Sequence, residues 1–249
     1  MSDPFDACKP AAKAQLPASR ICLVGASGLV GSAVLEESAG RADMRVVSIA
    51  RREVPLPKGA RTEVLVGGTD DWPALIAASC ANVLVSALGT TMKTAGGEEA
   101  FRAVDHDLVL EVARTAHAAG IEHMIAVSSI GADRASRNLY LRTKGETEEA
   151  LRKIGFRRLD IMRPGLLRGR RREWRRLEGV GQVLAPIADL LLLHGRYRCF
   201  RSVQASLMAR AILALAREKA RGSFIHDFDA MRRAACGMGN NRAVPRNAR

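Results

Sequence analysis

The chain has 249 residues, of which 47% are apolar, 26% are charged and 4% are aromatic. These values fit one globular domain or at most two small ones, exclude an intrinsically disordered chain, and disfavour a nucleic-acid module that stacks bases on aromatic side chains. The formal net charge of +13 suits anionic ligands, whereas the five cysteines and five histidines lack the spacing of zinc ligands, so we predict no metal site.

The first 19 residues are polar and rich in alanine and proline, and we expect a flexible N-terminal arm over residues 1–19. This arm lacks the apolar core of roughly 7–15 residues that a secretory signal needs. No apolar run in the chain approaches the roughly 20 residues of a membrane span. We therefore expect a cytoplasmic protein with no membrane span.

From Ile21 onward, short apolar strands alternate with helical patterns as far as Met162. The predicted strands are 21–24, 44–49, 64–66, 82–86, 123–127 and 159–162, and the predicted helices are 29–39, 71–78, 98–119 and 139–154. The apolar stripe of the longest helix consists of Phe101, Val104, Leu108, Val112 and Ala116. Regular alternation of strand and helix predicts an α/β fold with a doubly wound parallel sheet.

The remaining residues are too few for a second domain of this kind. They contain predicted helices near 177–193 and 203–217 and a predicted strand at 223–226. We interpret residues 20–236 as a single domain whose part from about 164 to 236 is a small substrate-covering subregion, followed by a disordered tail over 237–249. The arginine-rich segment from Arg168 to Arg176 is either an anion-binding loop or a solvated loop, and the sequence leaves both open.

A glycine-rich sequence joins the first strand to the first helix. Gly25, Gly28 and Gly31 form a GxxGxxG pattern in this position. The first glycine permits a tight turn, the second lets the backbone approach a pyrophosphate at the helix N-terminus, and the third allows the helix to pack closely on the strand. This context predicts a dinucleotide site.

The end of the second strand distinguishes between the two nicotinamide cofactors. NAD-binding folds place a carboxylate there, on the adenosine ribose. This chain has Arg51 and Arg52 instead. A guanidinium pairs with a 2′-phosphate that a carboxylate would repel, so we predict NADP(H) rather than NAD(H).

A second constellation follows the fifth strand. Ser128 and Ser129 stand at its carboxyl end, and Tyr140 and Lys144 lie one helical turn apart on one face of the next helix. An ammonium near a phenol lowers the pKa of the phenol, which can then exchange a proton with a substrate oxygen. A serine hydroxyl can hold the same oxygen. The sequence does not separate Ser128 and Ser129 well.

Together these segments resemble the atypical short-chain dehydrogenase/reductases, and within them the Tat-interacting-protein-like NAD(P)H-binding oxidoreductases. The resemblance covers about residues 20–230 and consists of GASGLVG, the basic pair in ARR, SALGTT, AVSSIGAD, YLRTKGETE and MRPGLL. The asparagine that many short-chain dehydrogenases carry after the fourth strand is absent, and Ser86-Ala87-Leu88-Gly89 stands there.

The resemblance implies a Rossmann fold and a role for each matching residue. Tyr140 would be the proton donor or acceptor, and Lys144 would bind the nicotinamide ribose. Of the two serines we prefer Ser129, because it leads into the loop that would pass over the cofactor. Leu167 would lie beside the nicotinamide, and Arg51 and Arg52 would take the 2′-phosphate. The remaining cofactor contacts would be Ser27, Gly28, Leu29 and Val30 around the pyrophosphate, and Leu88 and Gly89 along the adenosine ribose.

Three functions are compatible with these residues. The first is an NADP(H)-dependent oxidoreductase acting on a small carbonyl or alcohol substrate. The second is an NADP(H)-binding redox sensor that acts on a protein partner, and the third is an isomerase or epimerase. The Tyr140–Lys144 pair favours an enzyme. No helix-turn-helix or zinc finger accompanies the arginines, so we expect no specific nucleic-acid partner; substrate and oligomeric state are not predicted.

Overall fold

The structure, a computed structural model, describes residues 19–169 and 202–237. Its strands are β1 Ser19–Val24, β2 Met44–Ala50, β3 Thr62–Val66, β4 Val83–Ser86, β5 His123–Val127, β6 Arg158–Met162, β7 Leu167–Arg168, β8 Val203–Gln204 and β9 Gly222–His226. Seven of them form one parallel sheet in the order β3-β2-β1-β4-β5-β6-β9, and β7 pairs separately with β8.

Helices cover both faces of this sheet. They are α1 Leu29–Ser38, α2 Trp72–Ala78, α3 Met92–Ala95, α4 Glu98–Arg102, α5 Val109–Ala118, α6 Leu139–Ile154, α7 Ala205–Leu215 and α8 Phe228–Gly237. One apolar core lies between the sheet and α1, α7 and α8, and a second lies between the sheet and α2, α5 and α6. The predicted doubly wound α/β fold is confirmed. Because both faces are covered, the central strands are continuous apolar runs.

The strand order reverses between β1 and β4. From β1 the chain winds outward through β2 to β3, and then crosses back to β4 on the other side of β1. In open parallel sheets the crevice at such a reversal, outside the carboxyl ends of the strands, is where ligands bind. The fold thus brings the turn after β1 and the loop after β4 to one crevice.

The predicted helix 98–119 is interrupted. A π-helical turn, Ala103–Leu108, joins α4 to α5. A π-helical turn holds more residues than an α-helical one, so the buried face moves along the sequence at this point. Phe101, Asp105 and Val109 are buried, whereas the predicted stripe positions Val104 and Leu108 are only half-buried. A buried carboxylate therefore replaces an apolar residue on this face.

The C-terminal part completes the core. Met208 and Ile212 on α7 and Met231 on α8 are fully buried, and β9 extends the sheet beside β6. The sequence predicted β9 and α7 but not α8. The predicted helix near 177–193, most of the segment from Arg168 to Arg176, and nearly all of the arm and tail lie outside the described residues. No helix among the described residues is long and apolar enough to cross a membrane.

Candidate active site

The glycine-rich turn leaves no room for side chains where β1 meets α1. Gly25 has φ +88°, and a Cβ there would lie 2.6 Å from the carbonyl carbon of Ala87. A Cβ on Gly31 would lie 2.2 Å from the carbonyl oxygen of Gly25. Glycine is therefore required at both positions, because in each case the obstacle is backbone. The first helix can start directly beneath the crevice.

The N-terminus of α1 is open toward that crevice. Gly28 is its N-cap residue and provides no side-chain cap for the first N–H groups of the helix. Ser27 and Gly28 are exposed, Leu29 is half-buried and Val30 is buried. Uncapped N–H groups and the positive end of the helix dipole suit a phosphate group.

The Tyr140–Lys144 pair lies on α6, whose bounds match the predicted helix. Its N-cap is Asn138, whose side chain accepts a hydrogen bond from the Leu141 N–H at 3.2 Å. Tyr140 is half-buried and its ring centroid is 5.6 Å from that of Phe101. Lys144 is only 5% exposed, so its ammonium sits inside the protein rather than in solvent.

The Lys144 ammonium has a buried anionic partner that the sequence analysis missed. Its Nζ lies 2.6 Å from Asp105 Oδ1, and the other carboxylate oxygen accepts the Thr90 N–H at 2.7 Å. The position of a Cβ on Gly89 would be 4.0 Å from Lys144 Nζ. Two predicted cofactor-binding residues, Gly89 and Lys144, thus come together. The sequence feature that could have indicated Asp105 is its position, four residues after Phe101 and next to the apolar stripe.

The two serines after β5 differ in their surroundings. Ser128 is buried and donates its hydroxyl proton to Glu148 Oε1 at 2.6 Å. Ser129 is half-buried, and within the described part of the chain its hydroxyl donates a hydrogen bond to the neighbouring Ile130 carbonyl oxygen alone, at 3.2 Å. Ser128 is thereby tied into the scaffold. Ser129 stays the serine that we predict to face a substrate.

Glu148 is a second buried carboxylate near the site, and no motif or residue spacing in the sequence indicated it. Besides Ser128, its carboxylate accepts two hydrogen bonds from Arg163, at 2.8 and 2.6 Å. These bonds raise the pKa of the Arg163 guanidinium above its ordinary value. Glu148 thus fastens α6 to the carboxyl ends of β5 and β6, next to the predicted Ser129.

Close packing also sets the distance between α6 and the loop that follows Ser129. A Cβ on Gly145 would lie 2.3 Å from the Arg134 backbone nitrogen. The Leu141 carbonyl oxygen accepts the Asp133 N–H at 3.1 Å. The loop can approach the helix only because residue 145 has no side chain.

The remaining predicted residues surround the same edge of the sheet. Arg51 and Arg52 are exposed directly after β2, and Leu88 is half-buried in the loop after β4. Leu167 is half-buried in β7, two residues before Gly169, where a Cβ would lie 2.7 Å from Leu29 Cδ1. The loop after β6 therefore reaches back to the glycine-rich turn.

These features fit an NAD(P) dinucleotide. The glycine-rich turn and the uncapped helix suit a pyrophosphate, and the buried ammonium beside the loop after β4 suits ribose hydroxyls. The arrangement can bind a dinucleotide along the carboxyl edge and present a phenol and a hydroxyl to a second ligand.

Comparison with known proteins gives the same class. The NAD(P)H-binding family matches residues 25–182 of the chain. The chain is 36% identical over 200 residues to the mitochondrial protein fmp52 of Aspergillus fumigatus, covering 78% of this chain and 85% of that protein. It is 37% identical over 178 residues to mitochondrial FMP52 of Eremothecium gossypii, covering 71% and 78%.

The fold also matches solved structures. UDP-glucuronic acid 4-epimerase from Bacillus cereus, in complex with NAD, superposes with a TM-score of 0.58 at 14% identity, covering 83% of this chain and 76% of that one. At this identity the likeness concerns the fold alone.

The expectation of a cytoplasmic protein is wrong, because the curated relatives are named as mitochondrial proteins. The lack of an apolar core in the N-terminal arm argues against a secretory signal and does not bear on import into mitochondria. Mitochondrial targeting segments are amphipathic and arginine-rich rather than apolar, so that criterion does not detect them.

Proposed function

The chain belongs to the NAD(P)H-binding family, and we propose that it is an NADP(H)-dependent oxidoreductase of the atypical short-chain dehydrogenase/reductase type, acting on a small carbonyl or alcohol. One observation carries the proposal. The Lys144 ammonium is buried at the carboxyl edge of the sheet, beside the loop after β4 and one helical turn from the Tyr140 phenol. A protein that bound a dinucleotide without catalysing a reaction would not need the Tyr140 phenol.

The protein's own groups divide the work of the reaction. When bound, the cofactor supplies or accepts the hydride. Tyr140 donates a proton to the substrate oxygen in reduction and removes it in oxidation, while Ser129 holds the same oxygen by a hydrogen bond. Lys144 binds ribose hydroxyls with its remaining N–H groups and stabilises negative charge on the phenol.

The 2′-phosphate is the part of the cofactor that Arg51 and Arg52 would recognise. Both side chains are exposed where β2 ends, the position at which related folds contact the adenosine ribose. A guanidinium offers two parallel N–H donors to a phosphate, and no carboxylate occupies residues 50–52 to oppose it.

Calorimetric titration with NADPH and NADH tests this proposal. NADPH should bind more tightly, and the double variant Arg51→Ala, Arg52→Ala should lose about 1.5–3 kcal/mol for NADPH, which is at least tenfold, with little change for NADH. Arg232→Ala with Arg233→Ala is a matched control, because these two exposed arginines are adjacent on α8. Equal wild-type affinities for the two cofactors would overturn the NADP(H) preference.

A redox sensor is the second candidate, and turnover separates it from the first. In a panel of aldehydes, ketones and alcohols, the protein should turn over at least one compound at about the rate of an ordinary enzyme. The change in nicotinamide absorbance measures that rate. If the wild-type protein binds NADPH tightly and no compound is turned over, the sensor becomes the better account of the site.

A further inference from the structure

Asp105 is a buried carboxylate whose partners come from two different elements. It is 1% exposed on the π-helical turn, contacts Lys144 Nζ through Oδ1 at 2.6 Å, and accepts the Thr90 N–H through Oδ2 at 2.7 Å. Its backbone oxygen accepts the Thr147 hydroxyl at 3.1 Å. A buried carboxylate is unfavourable unless such partners compensate it, so its place here calls for a reason.

The π-helical turn aligns two residue pairs across the packed helices. Phe101 and Asp105 are four residues apart, as are Tyr140 and Lys144 on α6. The Phe101 ring contacts the Tyr140 ring, and the Asp105 carboxylate contacts the Lys144 ammonium. The buried face that carries Phe101 and Asp105 therefore contacts both Tyr140 and Lys144, the two residues of the proposed chemistry.

We propose that Asp105 is a positioning residue, which fixes the Lys144 ammonium so that it meets the ribose of the nicotinamide half of the cofactor. This inference rests on the proposed function. A lysine has a flexible stem and three N–H donors. The ion pair with Asp105 fixes the stem, which leaves N–H donors of the ammonium in a defined place for ribose hydroxyls.

The substitution Asp105→Asn separates this role from simple space filling. An amide has nearly the shape of a carboxylate but only one acceptor oxygen. Asp105 forms an ion pair with the Lys144 ammonium through one oxygen and accepts the Thr90 N–H with the other. In the variant, one of these donors faces an NH₂ group, and the ammonium also loses its counter-charge.

The experiment compares two ligands by calorimetry. NADPH has the nicotinamide ribose, whereas adenosine 2′,5′-bisphosphate lacks the whole nicotinamide half. Asp105→Asn and Lys144→Met should each weaken NADPH binding by about tenfold or more, the usual effect of losing a hydrogen bond to a charged group, and leave the bisphosphate within about twofold of wild type. Asp107→Asn, at an exposed carboxylate on the same turn, should change neither affinity.

Asp105→Glu gives a second variant in case Asp105→Asn does not fold, because it keeps the charge and both acceptor oxygens. It moves them by one methylene, so NADPH but not the bisphosphate should bind more weakly. The positioning role would be overturned if the Asp105 variants lost the same affinity for both ligands, or if they bound NADPH as tightly as wild type does. Neither outcome would contradict the proposal that the wild-type protein binds NADPH. A wild-type protein that binds neither ligand would instead refute the proposed function.

Discussion

At Tyr140 the proposed chemistry depends on one oxygen atom. Tyr140→Phe keeps the ring and its contact with Phe101 but removes the transferable proton. NADPH affinity should stay within a few-fold of wild type, and turnover of any substrate found by screening should fall by roughly 10²–10⁴-fold, the usual contribution of a positioned acid–base group. Calorimetry and steady-state kinetics measure the two effects.

Lys144→Met provides the contrast for that variant. Its ammonium is assigned to the ribose as well as to the phenol, so this substitution should reduce both cofactor affinity and turnover. Full activity of Tyr140→Phe would mean that another group donates the proton.

Among the helices, α6 is the one whose bounds the sequence predicts without error. The reason is local: Asn138 caps its first turn, and Gly155, with φ +90°, ends it in the left-handed conformation that glycine favours. The spacing of Tyr140 and Lys144 follows from the helix itself. The glycine-rich turn is also predictable, because its three glycines fall within seven residues between a strand and a helix, although the backbone that excludes a side chain at Gly25 is that of the distant Ala87.

The groups that hold α6 in place could not be predicted in this way. Asp105 is 39 residues before Lys144 in the sequence and becomes its partner only because a π-helical turn shifts the buried face. Hydrophobic periodicity describes a regular helix and assigns buried positions to apolar residues, so it places Val104 where the structure has Asp105. By contrast, the doubly wound parallel class of the sheet follows from the alternation of strand and helix in the sequence.

Glu148 shows what fastening α6 contributes to stability. It is 2% exposed and holds Ser128 and the partly buried Arg163. Glu148→Gln keeps the volume but loses acceptor capacity toward Arg163, so the free energy of unfolding should fall by about 1–3 kcal/mol in urea denaturation. Glu149→Gln is the matched control, since that neighbouring carboxylate makes only exposed ion pairs. Equal effects of the two variants would contradict a special role for Glu148.

On the scale of the whole molecule, one carboxylate joins the last strand to the rest of the sheet. Asp160 in β6 is fully buried and contacts His123 of β5 and His226 of β9, each at 2.7 Å, and Arg158 of its own strand at 2.6 and 2.9 Å. The Arg158 guanidinium also lies 4.6 Å from the Phe224 ring centroid in β9. This network fixes the edge of the sheet against which α7 and α8 complete the core.

The ionisation of Asp160 makes this network sensitive to acid. Burial by itself would raise the pKa of the Asp160 carboxyl, but hydrogen bonds from His123, His226 and Arg158 outweigh burial and hold the pKa well below its ordinary value of 3.8. A carboxyl whose pKa is depressed by folding stabilises the native state above its unfolded pKa and loses that contribution as the pH falls through the native value. Acid unfolding of the wild-type protein should therefore include a contribution from Asp160 below about pH 4.

Asp160→Asn tests that account at both ends of the pH range. At pH 7 the variant should be about 3–5 kcal/mol less stable than wild type in urea denaturation, because Arg158 loses its counter-charge and at least one donor is left facing an amide NH₂ group. Toward pH 2 the difference should shrink, because the unfolded wild-type chain then binds a proton at this carboxyl while the native state does not, which lowers the stability of the wild type. Glu63→Gln, which removes a half-exposed carboxylate paired with Arg20, should cost less than about 1 kcal/mol at either pH. A stability difference between wild type and Asp160→Asn that stays constant from pH 7 to pH 2 would show that the network acts through shape and packing rather than through charge.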